Sequence, residues 1–225
     1  MPFNLLLFPL VGAYYILIRF KYLKYIQSRL ESQRILLNAA LIGIFLLAFT
    51  FIVRAFANHF FPAQIDIVYA LLPLKVPFFG TTIFSLLIAI ISTEIANLSL
   101  NREKAIKFSI DYIGNELELM LKSSFTNWML LQFTLDSNKF YVGWVKELPK
   151  PSVSNYIRII PAFSGYRDDK KELIFTTQYL SVYASYIEEG SVKDIDELNT
   201  DLVLRLSSII SVSFFDIDMY QRFNP

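Results

Sequence analysis

The run ILLNAALIGIFLLAFTFIV, residues 35–53, carries no charged side chain over nineteen positions, with Arg34 before it and Arg54 after it. A helix rises about 1.5 Å per residue, so the run matches the roughly 30 Å hydrocarbon core of a bilayer. A core helix of a small soluble domain keeps a polar stripe, and this run has none. It reads as a transmembrane helix, and the rest of the chain is placed relative to a membrane.

Working outward, two further apolar segments flank it, residues 3–20 and 76–98. The connection before the central run holds Arg19, Lys21, Lys24, Arg29 and Arg34, and the stretch after the third segment opens with Arg102, Lys104 and Lys107. The connection between the second and third segments is poor in Lys and Arg. By the positive-inside rule the two basic flanks lie in the cytosol. The pattern predicts an outer N-terminus, three crossings of a bacterial inner membrane and a cytosolic C-terminal domain. IDIVYALLPL, residues 65–74, is too short to span, and Pro73 and Pro77 interrupt it, so a re-entrant or interfacial helix is expected; the alternative is a fourth, short crossing, which would break the parity of three. The first segment lacks the basic start and small-residue cleavage site of a signal peptide, and is expected to be retained.

The halves differ in charge. Residues 1–100 carry three acidic residues, Glu31, Asp66 and Glu94, against seven basic ones; residues 101–225 carry seventeen acidic and fourteen basic. The second half, about −3 in net charge, is large enough for its own core but lacks the basic face that phosphate backbones require, so no direct nucleic-acid partner is expected. Cysteine is absent, which removes disulfides, thiolate chemistry and Cys-ligated zinc. His59, the one histidine, sits beside Phe60 and Phe61 with no acidic residue at ligand spacing, and reads as interfacial rather than metal-binding. Glu94, in STEIAN, is the membrane polar site: an intramembrane carboxylate is costly and marks either an ion path or, more simply, a helix–helix hydrogen bond or an interfacial position. Gly43, Ser85, Ala89 and Ser92 allow close helix approach.

Asn101 is placed to cap an amphipathic linker helix over residues 101–125, whose apolar face is Ile106, Ile110, Ile113, Leu117 and Met120. Near Met129 the period changes to two. MLLQFTL, the polar DSNK and FYVGWVKEL predict a hairpin; YIRIIPAF and ELIFTTQ, joined by SGYRDDKK, predict two more strands; LVLRLSSIISVSFFD predicts a fifth and a sixth. YLSVYASYIEEG fits a short helix or an edge strand. Residues 126–225 therefore read as a cytosolic β-domain, a small antiparallel barrel or curled sheet, behind a transmembrane domain of residues 1–100.

LDSNKFYVGWV resembles the opening of small SH3-like barrels of the Sm or PRC type, where a polar turn precedes an aromatic-x-Gly strand. With YIRIIPAFSGYRDD, FTTQY and IISVSFFDIDMY, the domain resembles the cytosolic part of an uncharacterised family of bacterial multi-spanning membrane proteins. The plan of a few helices plus a small barrel is similar to that of the membrane subunit of the Kiwa phage-defence system. The resemblance implies a barrel fold and a setting in antiviral defence, and it implies no activity. Gly143 fits a barrel strand that bends sharply.

SGYRD, residues 164–168, is the best site candidate. Gly165 permits an unusual turn, while Tyr166, Arg167 and Asp168 supply a ring, a guanidinium and a carboxylate for an acidic partner or a phosphate. The plainer reading is a hairpin loop in which Arg167 pairs with Asp168 or Asp169. Arg158 is a second basic candidate. Carboxylate pairs at Asp168 and Asp169, Glu188 and Glu189, and Asp194 and Asp196 read as solvated faces. No phosphate-binding glycine loop, HExxH or GxSxG occurs, and without cysteine or a cytosolic histidine a Ser-His or Cys-His nucleophile is excluded there. The sequence thus predicts a non-enzymatic membrane anchor or sensor, without cofactor, whose β-domain docks a protein partner. The alternative is a small oligomeric channel gated at the β-domain, its path lined by Asn38, Thr50, Ser85, Ser92, Thr93 and Glu94. A nucleotide-signal binder using Arg158 and Arg167 is disfavoured by the acidic domain.

Overall fold

The computed structural model describes residues 3–73, 76–151, 154–170, 172–192, 197 and 200–223. The chain divides into two compact units, residues 1–105 and 106–225.

The first unit is helical. A 3-10 turn, Phe3–Leu6, leads into α1 (Leu7–Arg19); Pro9 falls in the first turn of α1, where its missing N–H is tolerated. Extended backbone at Phe20 separates α1 from α2 (Lys21–Gln27). α3 (Ser32–Phe60) is the long helix, followed by α4 (Pro62–Ala70) and α5 (Phe79–Ser99). At about 1.5 Å per residue α3 reaches about 43 Å and α5 about 31 Å, while α1 reaches about 20 Å. Two helices, α3 and α5, are long and apolar enough to cross a membrane. The sequence expected a third; the helix there is cut short by the 3-10 turn at one end and by Phe20 at the other. α4 occupies the ambiguous segment as a nine-residue helix; Leu74, its expected end, lies outside the described residues.

Small residues bring these helices together. A Cβ on Gly12 of α1 would stand 3.1 Å from Ala89 of α5, and one on Gly43 of α3 would stand 3.2 Å from the Pro9 carbonyl. Ala13, Leu17 and Ala39 form the buried centre of the α1–α3 contact. Buried hydroxyls are satisfied locally: Thr50 donates to the Leu46 carbonyl, Ser85 to Thr82 and Thr93 to Ala89, at 2.8, 2.6 and 2.6 Å.

α6 (Arg102–Ile113) begins in the first unit and ends in the second. The single linker helix of the sequence reading is two helices, because Gly114 and Asn115 interrupt it and Asn115 opens α7 (Glu116–Asn127) with a capping box to Glu118. Asp111 pairs with Lys122, and Lys107 stands over the Phe125 ring at 4.8 Å, which ties α6 to α7. Trp128, left-handed at φ 54°, ends α7, and its carbonyl accepts the Trp144 indole N–H at 2.9 Å.

The sheet comprises β1 (Leu131–Leu135), β2 (Lys139–Glu147), β3 (Tyr156–Arg167), β4 (Leu173–Gln178), β5 (Leu202–Arg205) and β6 (Ile209–Phe214). All pairings are antiparallel, in the order β4-β3-β2-β1-β6, with β5 on the other end of β3. α7 packs on β2, the Ser124 hydroxyl accepting from the buried Val145 N–H at 3.0 Å. α8 (Leu180–Glu188) settles the ambiguous YLSVYASYIEEG as helix, and α9 (Ile217–Phe223) ends the described chain.

The sheet is not closed into a barrel: among the described residues no ladder joins β6 to β4 or β5. It is nonetheless strongly curled, since one 3-10 turn, Leu206–Ser208, carries the chain from the outer edge of β3 to the outer edge of β1. That turn is held at both sides, Leu206 N–H donating to the Asn155 carbonyl at 2.8 Å and Asp136 N–H donating to the Ser208 carbonyl at 2.9 Å. Closure stops short because β5 has four residues and the chain leaves it at once for the opposite edge.

Candidate functional site

From Leu206 to Phe215 the sequence runs LSSIISVSFF, ten residues without a charge. Six of them form β6, which pairs with β1 on one side and, among the described residues, with no strand on the other. The contrast with its neighbour is sharp: Leu131 and Phe133 of β1 are fully buried, whereas Ile210 and Phe214 of β6 are 68% and 48% exposed. Edge strands are ordinarily blunted by lysine, proline or a bulge. β6 has neither lysine nor proline, and its one irregularity lies at its start, opposite Thr134 and Leu135.

Beside this edge the curled sheet leaves an aromatic seam. Gly165 lies inside β3, opposite Phe140 on β2 and Phe175 on β4. A Cβ there would stand 2.0 Å from the Ile174 carbonyl oxygen and 2.7 Å from the Phe140 ring, so only glycine lets β4 and that ring approach. Phe140 and Phe175 meet edge-to-face across it at 5.0 Å. Phe175 then meets Phe215 at 6.2 Å and Tyr220 at 5.2 Å. Such pairs contribute about 0.5–1.5 kcal/mol each beyond burial. Phe215 is placed by its N–H donating to the Leu130 carbonyl at 3.0 Å, and Asp216 caps α9 by accepting from Asp218 and Met219 N–H groups. Two grooves open on this seam. One of about 470 Å³ has β4 residues Thr176 and Gln178 on one wall and Ile217 and Tyr220 on the other. The second, about 600 Å³, is lined by Met129, Leu130, Phe214, Met219 and Phe223.

The residues singled out from the sequence are placed otherwise. Gly165 makes no turn, being a mid-strand residue. Tyr166 and Arg167 close β3, Tyr166 half exposed and the Arg167 N–H donating to the Asn138 carbonyl at 2.8 Å. Asp168 closes the loop to β4, its carboxylate accepting from the Glu172 N–H at 2.8 Å. Arg158 lies nine positions back on the same strand, about 30 Å away, and is not brought to them. It stands 3.9 Å from Asp201, which Lys146 already pairs with at 2.8 Å. Asp194 and Asp196 lie outside the described residues. Glu94 belongs to a polar corner in the first unit: Tyr15 donates to it and Arg19 stands 3.3 Å from it, while Asn97 on the next turn accepts from Lys21 N–H and Lys21 Nζ caps the Asn97 and Leu100 carbonyls. Glu94 is thus engaged in a helix–helix hydrogen bond at a position 44% exposed. Sequence reasoning missed the β6 edge and the seam. The signal for it was present in the uncharged run 206–215, which served there only to place strands.

Comparison of the chain with protein-family models, with curated proteins and with solved structures finds no match.

Proposed function

We propose that this chain is a non-enzymatic membrane-anchored docking protein, whose helices hold it in a bilayer and whose sheet takes an extended, uncharged segment of a partner protein along β6. The observation that carries this is β6 itself, an uncharged edge strand with Ile210 and Phe214 exposed. Strand addition supplies backbone hydrogen bonds for affinity, and pockets for alternate side chains give specificity. The adjoining seam and its grooves provide such pockets. The reading keeps α3 and α5 as crossings, with the β-domain on the cytosolic side where the basic flanks point. The similarity of plan to the Kiwa membrane subunit makes antiviral defence the setting we propose for it.

The channel alternative draws less support. Of its supposed lining, Thr50, Ser85, Ser92 and Thr93 turn their hydroxyls back to carbonyls of their own helices, and Asn38 donates to Gln27.

Site-specific photo-cross-linking in cells tests the docking reading. A benzoylphenylalanine at position 210 or 214 should give a discrete protein adduct, and Ile210→Lys should abolish the adduct formed from position 214. Adducts from position 166 with none from 210 or 214 would overturn the assignment of the site.

A further inference from the structure

Arg54 is the one charged side chain of α3 beyond the uncharged run, and it turns into a cleft among α3, α4 and α5. Its Nη1 donates to the Thr81 hydroxyl on α5 at 2.7 Å, and its guanidinium stands 4.8 Å from the centre of the Tyr69 ring on α4. The ring is itself wedged in place, because a Cβ on Gly80 would stand 2.3 Å from Tyr69 Cε1. A guanidinium has five N–H donors. One is used by Thr81, and among the described residues no carboxylate accepts from the others. Asp66, one turn before Tyr69 on α4, is exposed and does not pair with it. The cleft below is about 200 Å³ and is walled by Val53, Ala57, Ile65, Val68, Phe84 and Ile88. Ligand pockets that bury a whole small molecule begin near about 300 Å³, so this one accommodates a segment of an apolar chain.

The depth of Arg54 identifies the ligand. Nineteen uncharged residues precede it, about 28 Å of helix, so it stands where the hydrocarbon of a bilayer gives way to headgroups. We infer that Arg54, with Thr81 and Tyr69, binds the phosphate of an anionic glycerophospholipid whose acyl chain lies in the cleft between α3, α4 and α5. The uncompensated cation supplies the charge complementarity, the ring fixes the plane of the fork, and the apolar walls take the chain. The inference rests on reading α3 and α5 as membrane spans.

Native mass spectrometry of the full chain, purified in mild detergent and incubated with phosphatidylglycerol, tests it. The wild type should retain one phosphatidylglycerol through detergent exchange, and Arg54→Gln should retain at least tenfold less. Arg34→Gln, at the exposed other end of the uncharged run, should retain as much as wild type. Ile65→Trp, which fills the cleft and leaves Arg54 in place, should also lose the lipid, and it serves if Arg54→Gln fails to fold. Phosphatidylcholine, a free fatty acid and inorganic phosphate should each fail to compete at equal concentration. Equal retention by wild type and Arg54→Gln, equal loss in Arg34→Gln, or displacement by inorganic phosphate would overturn the site. A chain that stays monodisperse without detergent would overturn the membrane reading along with it, whereas a detergent-dependent chain that retains no lipid overturns the site alone.

Discussion

Two apolar surfaces face outward in this molecule, and they differ in what their backbones need. On α3, Leu37, Leu41, Ile44, Phe45, Phe49 and Ile52 are each more than half exposed and line one broad face of the helix, opposite the buried Ala39, Gly43 and Thr50. Every mid-helix N–H and C=O there is bonded within the helix, so a hydrocarbon solvent satisfies the surface completely. On β6, Ile210 and Phe214 are exposed to a similar degree, but they stand on an edge strand whose outer N–H and C=O groups lack a ladder partner among the described residues. Lipid cannot serve such an edge. A second polypeptide can, because it brings donors and acceptors together with side chains. We propose that the same residue types meet a membrane in one place and a protein in the other, because only the edge strand has backbone groups left to pair.

The largest expected effect separates the seam's exposed side from its core. Phe140 is fully buried, so Phe140→Ala should destabilise the protein by about 3–5 kcal/mol. Phe214→Ala should remain within about 1 kcal/mol, as its ring is half exposed. Thermal melting of both variants checks this. Equal losses would make Phe214 part of the core and remove it from any docking surface.

A charge in the middle of α3 comes next. Phe45 is 74% exposed, so in a water-soluble protein Phe45→Arg would cost about 0.5 kcal/mol or less. At the centre of a crossing helix an arginine costs about 2.5–3.5 kcal/mol in membrane insertion. Carbonate extraction of cell membranes should find the wild type in the membrane fraction and most of Phe45→Arg outside it or degraded. An unchanged membrane fraction would remove α3 from the list of spans.

How far the sequence foretold this contrast follows from the range of the interactions involved. The run 35–53 is a local property, and the helix it predicts is present. The change to period two after Met129 is also local, and the hairpin of β1 and β2, followed by β3 and β4, follows it. The segment of the expected third crossing holds a shorter helix than composition suggests: a 3-10 turn and one extended residue at Phe20 bound α1, and composition registers neither. The site candidates are dispersed for a different reason. Arg158 and Arg167 look close in sequence, yet on an extended strand nine positions separate them by about 30 Å. Phe140, Phe175 and Phe215 are far apart in sequence, and only the curl of the sheet gathers them. A seam built from two strands and the residue that follows a third leaves no periodic trace, whereas a bilayer-length run does.

The smallest effect concerns a buried polar atom, and it sharpens the comparison from inside the two units. In the helical unit the hydroxyls of Thr50, Ser85 and Thr93 each find a carbonyl on their own helix. In the sheet unit Tyr183 on α8 is 3% exposed and packs against Ile160, and its hydroxyl meets no partner of hydrogen-bond geometry among the described residues. Burial pushes the Tyr183 phenol up from its ordinary value near 10, with Thr200 the leading opposing influence. A raised folded value means that the folded state holds the proton more tightly than the unfolded one. Its contribution to stability is therefore fully present below about pH 10 and is lost as pH rises above that value. Tyr183→Phe removes both the orphaned hydroxyl and the titration. It should leave stability at pH 7 unchanged or raised by up to about 1 kcal/mol. It should also flatten the fall in melting temperature between pH 9 and pH 11 relative to wild type, where the remaining tyrosines titrate in both proteins alike. A loss of more than about 1 kcal/mol at pH 7 would show that the Tyr183 hydroxyl has a partner after all, and the contrast in how the two units treat their buried hydroxyls would disappear.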